Sequence, residues 1–244
     1  MSIWGKLLGG AAGFAFGGPL GAFLGALAGH VADTVADTVT AHAPADPTTS
    51  ITFTIGVIVL SAKMARADGQ VTAEEVALFR RLFQVPPQEA RNVTRIFDLA
   101  REDVAGFEIY ARQIAGLLRD RPAVLEDLLD SLFLIALADG HMHEAELAYL
   151  ISVSRIFGFS DADFARIRAA HMGPDHSDPY AILGLLPTVS NAELKLAYRR
   201  LVKEHHPDHL IAQGMPAEFV RVATHKLAAI NAAYDSILSA RGRP

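Results

Sequence analysis

Three consecutive residues, His206, Pro207 and Asp208, put an imidazole, a rigid ring and a carboxylate within one turn of chain. Just before them Lys195, Arg199 and Lys203 recur at a spacing of four, with Arg200 beside them. An imidazole and a carboxylate could do acid–base chemistry, but the segment shows no nucleophile or cleft to complete an active site. The chain has no cysteine, which excludes thiolate catalysis, disulfides and cysteine metal sites. Read as residues alone, the stripe could meet an acidic partner, and the turn could equally be an inert loop with Asp208 as its cap. The bland reading of the stripe is a solvated helix face. Residues 178–244 hold 8 Lys and Arg against 6 Asp and Glu, and the whole chain carries −5, so nucleic acid is not favoured as a partner.

A second set is acidic. "ARADGQVTAEEVALFRRLF" (65–83) repeats as "ALADGHMHEAELAYLISVS" (136–154) at an offset of 71. Each copy pairs an Ala-Asp-Gly with a glutamate six residues after the glycine, giving Asp68, Glu75, Asp139 and Glu146. That spacing is the one found in a calcium loop. The positions for the first two calcium ligands are Met64 and Arg66, and Ile135 and Leu137 in the second copy, which cannot ligate calcium. Helix capping is the simpler role. Gly69 and Gly140 can take the left-handed cap conformation, and Thr72 with Glu75 makes a capping-box pattern that His143 and Glu146 echo. The alternative is a divalent ion shared by the four acids, assisted by His141 and His143.

The elements that position these residues are all helical. Few aromatics, many alanines and no persistent alternation predict an all-α protein. The one strand-like run, "ITFTIGVIV" at 51–59, leads into a helical pattern and is read as helix. Residues 51–170 are predicted to form a bundle of amphipathic helices, built from two pseudo-equivalent hairpins. Residues 33–50 and 171–177 read as polar linkers. Residues 178–244 read as a compact unit of their own. Asp178-Pro179 starts a short helix stopped at Gly184, and Ser190 or Asn191 caps the next. Leu194, Ala197, Tyr198 and Leu201 form its inner face, and Pro207 ends it. A loop, "HLIAQGMP", then leads to a last helix with Phe219, Ala223, Leu227, Ile230, Tyr234 and Ile237 on one stripe, so the two long helices pair antiparallel with the His-Pro-Asp turn at one tip.

Residues 1–32 are different. Glycines stand at Gly5, Gly9, Gly13, Gly17, Gly21, Gly25 and Gly29, and no charged side chain falls between Leu7 and Gly29. In water each interior glycine costs a helix about 1 kcal/mol relative to alanine. In lipid the backbone must be helical, and small residues at a spacing of four let a second helix pack closely. The run is long enough to span roughly 30 Å. A kink or hairpin at Pro19 and a cleaved signal peptide are the competing readings. Lys6 precedes the run while Asp33 and Asp37 follow it, a weak charge bias against a cytoplasmic C-terminal side.

Three resemblances cover most of the chain. The Ala-Asp-Gly…Glu element in two helical halves, over roughly 51–170, resembles the tellurite-resistance TerB-like domain. "DPYAILGL", "LKLAYRRLVKEHHPD" and "KLAAINAAYDSIL" resemble the J-domain of DnaJ-type co-chaperones over 178–240. The order of glycine-rich segment, TerB-like bundle and J-domain is similar to the DjlA-type family of membrane-anchored DnaJ-like co-chaperones. The resemblance implies no enzymatic activity and no required cofactor. It implies a DnaK-type chaperone partner whose ATPase the His206-Pro207-Asp208 turn stimulates, with Lys195, Arg199, Arg200 and Lys203 as docking residues. It also implies a single pass of the inner membrane with the bulk of the chain in the cytoplasm, and self-association through the glycine ladder, centred on Gly9, Gly13, Gly17, Gly21 and Gly25. The alternative function is a metal- or stress-responsive binding protein acting mainly through the TerB-like bundle.

Overall fold

The computed structural model describes residues 47–68, 106–172, 178–216 and 219–242, together with isolated positions at Gly21, Phe79, Val85, Thr94, Phe97, Asp98 and Ala100. Of the glycine ladder only Gly21 is among them; Gly69, Glu75, the Asp68 side chain and residues 173–177 lie outside the described residues. Every described element with defined bounds is a helix, as the composition predicts.

Helix α1 spans Pro47–Asp68 and includes the 51–59 run. It begins inside the segment read as the first linker, because proline is tolerated in a first helical turn where its missing N–H is not needed. From Thr52 to Met64 every side chain is buried, the mark of a helix enclosed by others. Its neighbours are α2 (Phe107–Leu117), α3 (Pro122–Ala136) and α4 (Glu144–Ile156). Gly56 sets the closeness of the crossing: a Cβ there would lie 2.8 Å from Leu128 Cδ1 and 3.2 Å from Ile114 Cδ1. The Tyr149 hydroxyl on α4 donates to the Leu60 carbonyl at 2.8 Å, so a polar tip pins α4 to the central helix. No helix among the described residues is long and apolar enough to cross a membrane.

Helix α5 (Asp161–His171) starts at a capping box in which Ser160 and Asp163 satisfy each other's backbone N–H groups. It runs to His171, inside the segment read as the second linker, and the His171 side chain is buried in the bundle.

The C-terminal segment follows the expected order. Asp178 caps α6 (Pro179–Ile182), and Gly184 ends it at φ +67°. Ser190 and Glu193 form the capping box of α7 (Asn191–Glu204). One element departs from the sequence reading: Pro207–Ala212, read as loop, is a short helix α8. His206 caps it, its Nδ1 accepting from the Asp208 N–H at 3.2 Å, and Pro207 takes the first helical position. Helix α9 spans Val220–Ala240. Three pairs fix its direction against α7: Asn191 with Arg241, Tyr198 with Asn231, and His205 with Lys226. Earlier residues of α7 meet later residues of α9, so the pair is antiparallel. Tyr198 and Tyr234 stack at 4.0 Å between ring centres.

This segment also packs on the bundle. Leu183, Leu194, Leu201, Ile230 and Ile237 form a small second core, which Ala169 of α5 joins. Leu210, Met215, Phe219, Val222 and Ala223 instead join the core of the bundle. The Phe219 ring meets Phe53 of α1 edge to face at 4.9 Å. The cause is length. Helix α9 has 21 residues and α7 has 14, so the first turns of α9 extend past the end of its partner. Their apolar side chains must be covered by something else, and the bundle covers them.

Candidate partner-docking face of the C-terminal segment

Helix α7 sorts its side chains by depth. Leu194, Ala197 and Leu201 are buried, while Lys195, Arg199, Arg200 and Lys203 are all exposed. The spacing of four aligns Lys195, Arg199 and Lys203 along one outer strip. The strip leads to the turn, where the His206 side chain is 48% exposed and that of Asp208 90%. An open groove of about 410 Å³ joins the two, lined by Tyr198, Arg199, Val202 and Lys203 of α7 and by His206, Asp208 and His209. Its walls combine apolar area with cations, and an exposed carboxylate stands at its end. A bound partner would need an acidic surface for the strip and a basic group for Asp208. The structure therefore brings the turn and the stripe together on one exposed face.

The four acids of the repeat have separate local tasks where they are described. Asp139 accepts from the His141 N–H at 2.9 Å and pairs with the His143 ring at 3.5 Å. That hydrogen bond, ahead of the two histidines, lowers its carboxyl from the ordinary value. Glu146 is buried and accepts from the His143 N–H at 3.0 Å, closing the start of α4. Gly140 takes φ +87°, as the cap reading requires. Among the described residues no group of three or more His, Asp or Glu side chains is placed to hold a metal ion.

The sequence reading missed a second charged site, buried where α3, α5, α7 and α9 meet. Lys226 of α9 lies 2.9 Å from Glu126 Oε1 and 2.9 Å from Asp127 Oδ1, and it also contacts Asp130. Arg166 grips Glu126 with both guanidinium nitrogens, at 2.8 and 2.6 Å. The His171 Nε2 meets Asp130 at 2.6 Å. His205, directly before the turn, is 2% exposed and sits 3.4 Å from Lys226, 3.4 Å from Glu126 and 3.7 Å from Asp127. Burial works against charge here, yet Lys226, Arg166 and His205 hold the Glu126 carboxyl well below the usual range. Asp130 is likewise lowered against its burial, by Lys226 and His171. Burial would lower the Lys226 ammonium, but Asp127, Asp130 and Glu126 raise it above its ordinary value. The signal lay in "PAVLEDLLDSLFLIAL": three carboxylates in a helix otherwise apolar all round must be buried, and so must have cations brought to them.

Comparison with known proteins assigns the three parts separately. Residues 1–46 match the family model of the co-chaperone DjlA transmembrane domain, residues 54–169 that of the tellurite resistance protein TerB, and residues 178–243 that of the DnaJ domain. The chain is similar to the co-chaperone protein DjlA of Photobacterium profundum, 28% identical over 205 residues, covering 73% of this chain and 74% of that one. It is similar to the co-chaperone protein DjlA of Shewanella oneidensis, 29% identical over 195 residues with 73% and 74% covered. The corresponding protein of Coxiella burnetii is 29% identical over 198 residues, with 73% of each chain covered. No solved structure gives a significant match. A DjlA-type transmembrane segment, a TerB domain and a J-domain thus follow one another in the order found from the residues, and the chain belongs to the DjlA-type family of J-domain co-chaperones.

Proposed function

We propose that this chain is a membrane-anchored co-chaperone that stimulates the ATPase of a DnaK-type chaperone through His206-Pro207-Asp208. The observation that carries the reading is the exposed face: a carboxylate at the tip of a proline-stiffened turn, at the end of a groove walled by Arg199 and Lys203. The stripe of Lys195, Arg199, Arg200 and Lys203 raises the encounter rate with an acidic surface and sets orientation. Asp208 then forms a charge-assisted bond with a basic group of the partner and favours its hydrolysis-competent state. The catalytic machinery belongs to the partner, and this chain shifts its populations.

The N-terminal segment holds the chain in the inner membrane with the remainder in the cytoplasm, where ATP and a DnaK-type partner are found. One lysine before the span is a small bias against that orientation. The glycine ladder supplies a surface for self-association in lipid. Substituting Gly13, Gly17 and Gly21 with leucine should weaken association of the span in a bacterial dimerisation assay. Substituting Phe14 or Leu24 should weaken it less.

The test uses the whole chain in nanodiscs, because the J-domain shares its core with the bundle. Added to the DnaK-type chaperone of its host, it should raise ATP turnover. His206→Gln should abolish the rise while leaving the chain folded, with at most the small loss in melting temperature of a missing helix cap. No stimulation by the wild type would reject the proposal.

A further inference from the structure

The J-domain's two histidines, His205 and His206, are chain neighbours, and the first is gripped by the buried ion cluster. Four residues beyond His206, Leu210 is fully buried in the core of the bundle. The docking turn is therefore anchored to the TerB domain on both flanks, while His206 and Asp208 face outward. The anchoring contacts need both domains. Glu126, Asp127 and Asp130 come from α3; Arg166 and His171 of α5 pair with the first and the last, and Lys226 of α9 is the cation that reaches all three. A carboxylate triad is tolerated inside a protein only with its cation in place, so the docked arrangement selects one seating of the J-domain over others.

We propose that Lys226 and His205 are positioning residues, which fix the His206-Pro207-Asp208 turn to the TerB domain and make that domain a working part of the co-chaperone's docking site. The proposal rests on the function proposed above. The turn reaches its partner already ordered, because the ring before it and the leucine after it are immobilised in the same chain. Pre-ordering of this kind strengthens docking by removing an entropic cost of association. It acts on how tightly the partner is held. The bond made by Asp208, and with it the maximal stimulation, is left as it was.

The test combines a distance with a titration, both on the full chain in nanodiscs. The natural sequence has no cysteine, so spin labels at Ala148→Cys on α4 and Ser236→Cys on α9, both exposed positions, report the domain arrangement alone. Stimulation of the DnaK-type ATPase is titrated with the same variants. The expected wild-type distance distribution is narrow. Lys226→Met should broaden it and raise the concentration for half-maximal stimulation about fivefold, with the maximum retained. Asp127→Asn combined with Lys226→Met should recover both. His205→Leu leaves Lys226 neutralised, so it should keep the narrow distance and still raise the half-maximal concentration. Should Lys226→Met lose its helical signal, His205→Leu decides the matter. A narrow distance in folded Lys226→Met overturns the lock. A raised half-maximal concentration with the maximum retained is the signature of positioning. An unchanged half-maximal concentration in His205→Leu, or a fall in the maximum alone, overturns it. A wild-type chain that stimulates nothing overturns the co-chaperone reading and the positioning with it. A broad wild-type distance overturns the docking while leaving the co-chaperone reading intact.

Discussion

His205 and His206 occupy adjacent places in the chain and opposite faces of the J-domain. His205 is closed into a cluster of three carboxylates, a lysine and an arginine; His206 stands half in solvent beside an exposed aspartate and a strip of four cations. The two faces carry charge for different reasons. Outside, water solvates every group, so the charges cost the fold little and remain available to a partner. Inside, each charge has lost its water and exists only because its counter-charges are present, so the same residue types become structural commitments. Charge alone does not tell a docking residue from a structural one; its burial does.

The sharpest way to break this contrast is at Lys226. Lys226→Met leaves three carboxylates in an apolar interior without their common cation, and the expected loss is about 3–5 kcal/mol of stability, read by denaturant unfolding of the full chain. A loss no larger than that of a surface lysine would remove the distinction between the faces. Acid should act on the same site. Glu126 and Asp130 have folded values below their unfolded ones, so their contribution is complete above about pH 5 and is lost as pH falls below about 4. The raised Lys226 contributes below its unfolded value of about 10.4 and is lost only in more alkaline solution. His225, exposed on α9, adds a shallower slope. Burial and the neighbouring His171 lower it, so stability declines slightly as pH drops below about 6.5. Melting followed from pH 3 to pH 9 should therefore show a broad plateau with a steep acid edge. A plateau that ends near neutrality would place the controlling group elsewhere.

An apolar contact gives the scale for comparison. Gly56→Ala would set a methyl 2.8 Å from Leu128 Cδ1, so that side-chain end must shift; an overpacking cost of about 1–3 kcal/mol, less about 1 kcal/mol of helix propensity gained by alanine, leaves a net loss of no more than about 2 kcal/mol. The exposed stripe should give the smallest effect on the fold. Lys195→Ala with Arg199→Ala should change stability by no more than about 0.5 kcal/mol for each residue. The same pair should slow association with the partner and flatten its dependence on salt. A stability loss from the stripe comparable to that from Lys226 would erase the contrast from the other side.

What could be read from the sequence was local. The inner and outer faces of α7, its Ser190 cap, the stop at Gly184 and the antiparallel pairing all follow from spacings within a few residues. The 51–59 run is legible as helix because the apolar pattern continues at helical length; its depth in the bundle explains why it shows no polar face. The short helix at Pro207–Ala212 was missed because its cap is a histidine, which is outside the usual capping set. The docking of the J-domain on the TerB domain was missed for a different reason. It joins Lys226 to residues about 100 positions away, and no periodicity reports such a pair. Two clues were present in the chain: acids in an apolar helix, and a last helix longer than the partner it was expected to pack on.

The most direct measurement compares ATP turnover of the host's DnaK-type chaperone with the full-length chain in nanodiscs, as wild type and as His206→Gln, both shown to be folded by helical signal and cooperative melting. The expected result is a saturable rise with the wild type and none with His206→Gln. Equal stimulation by both chains would contradict a function exercised through the exposed turn.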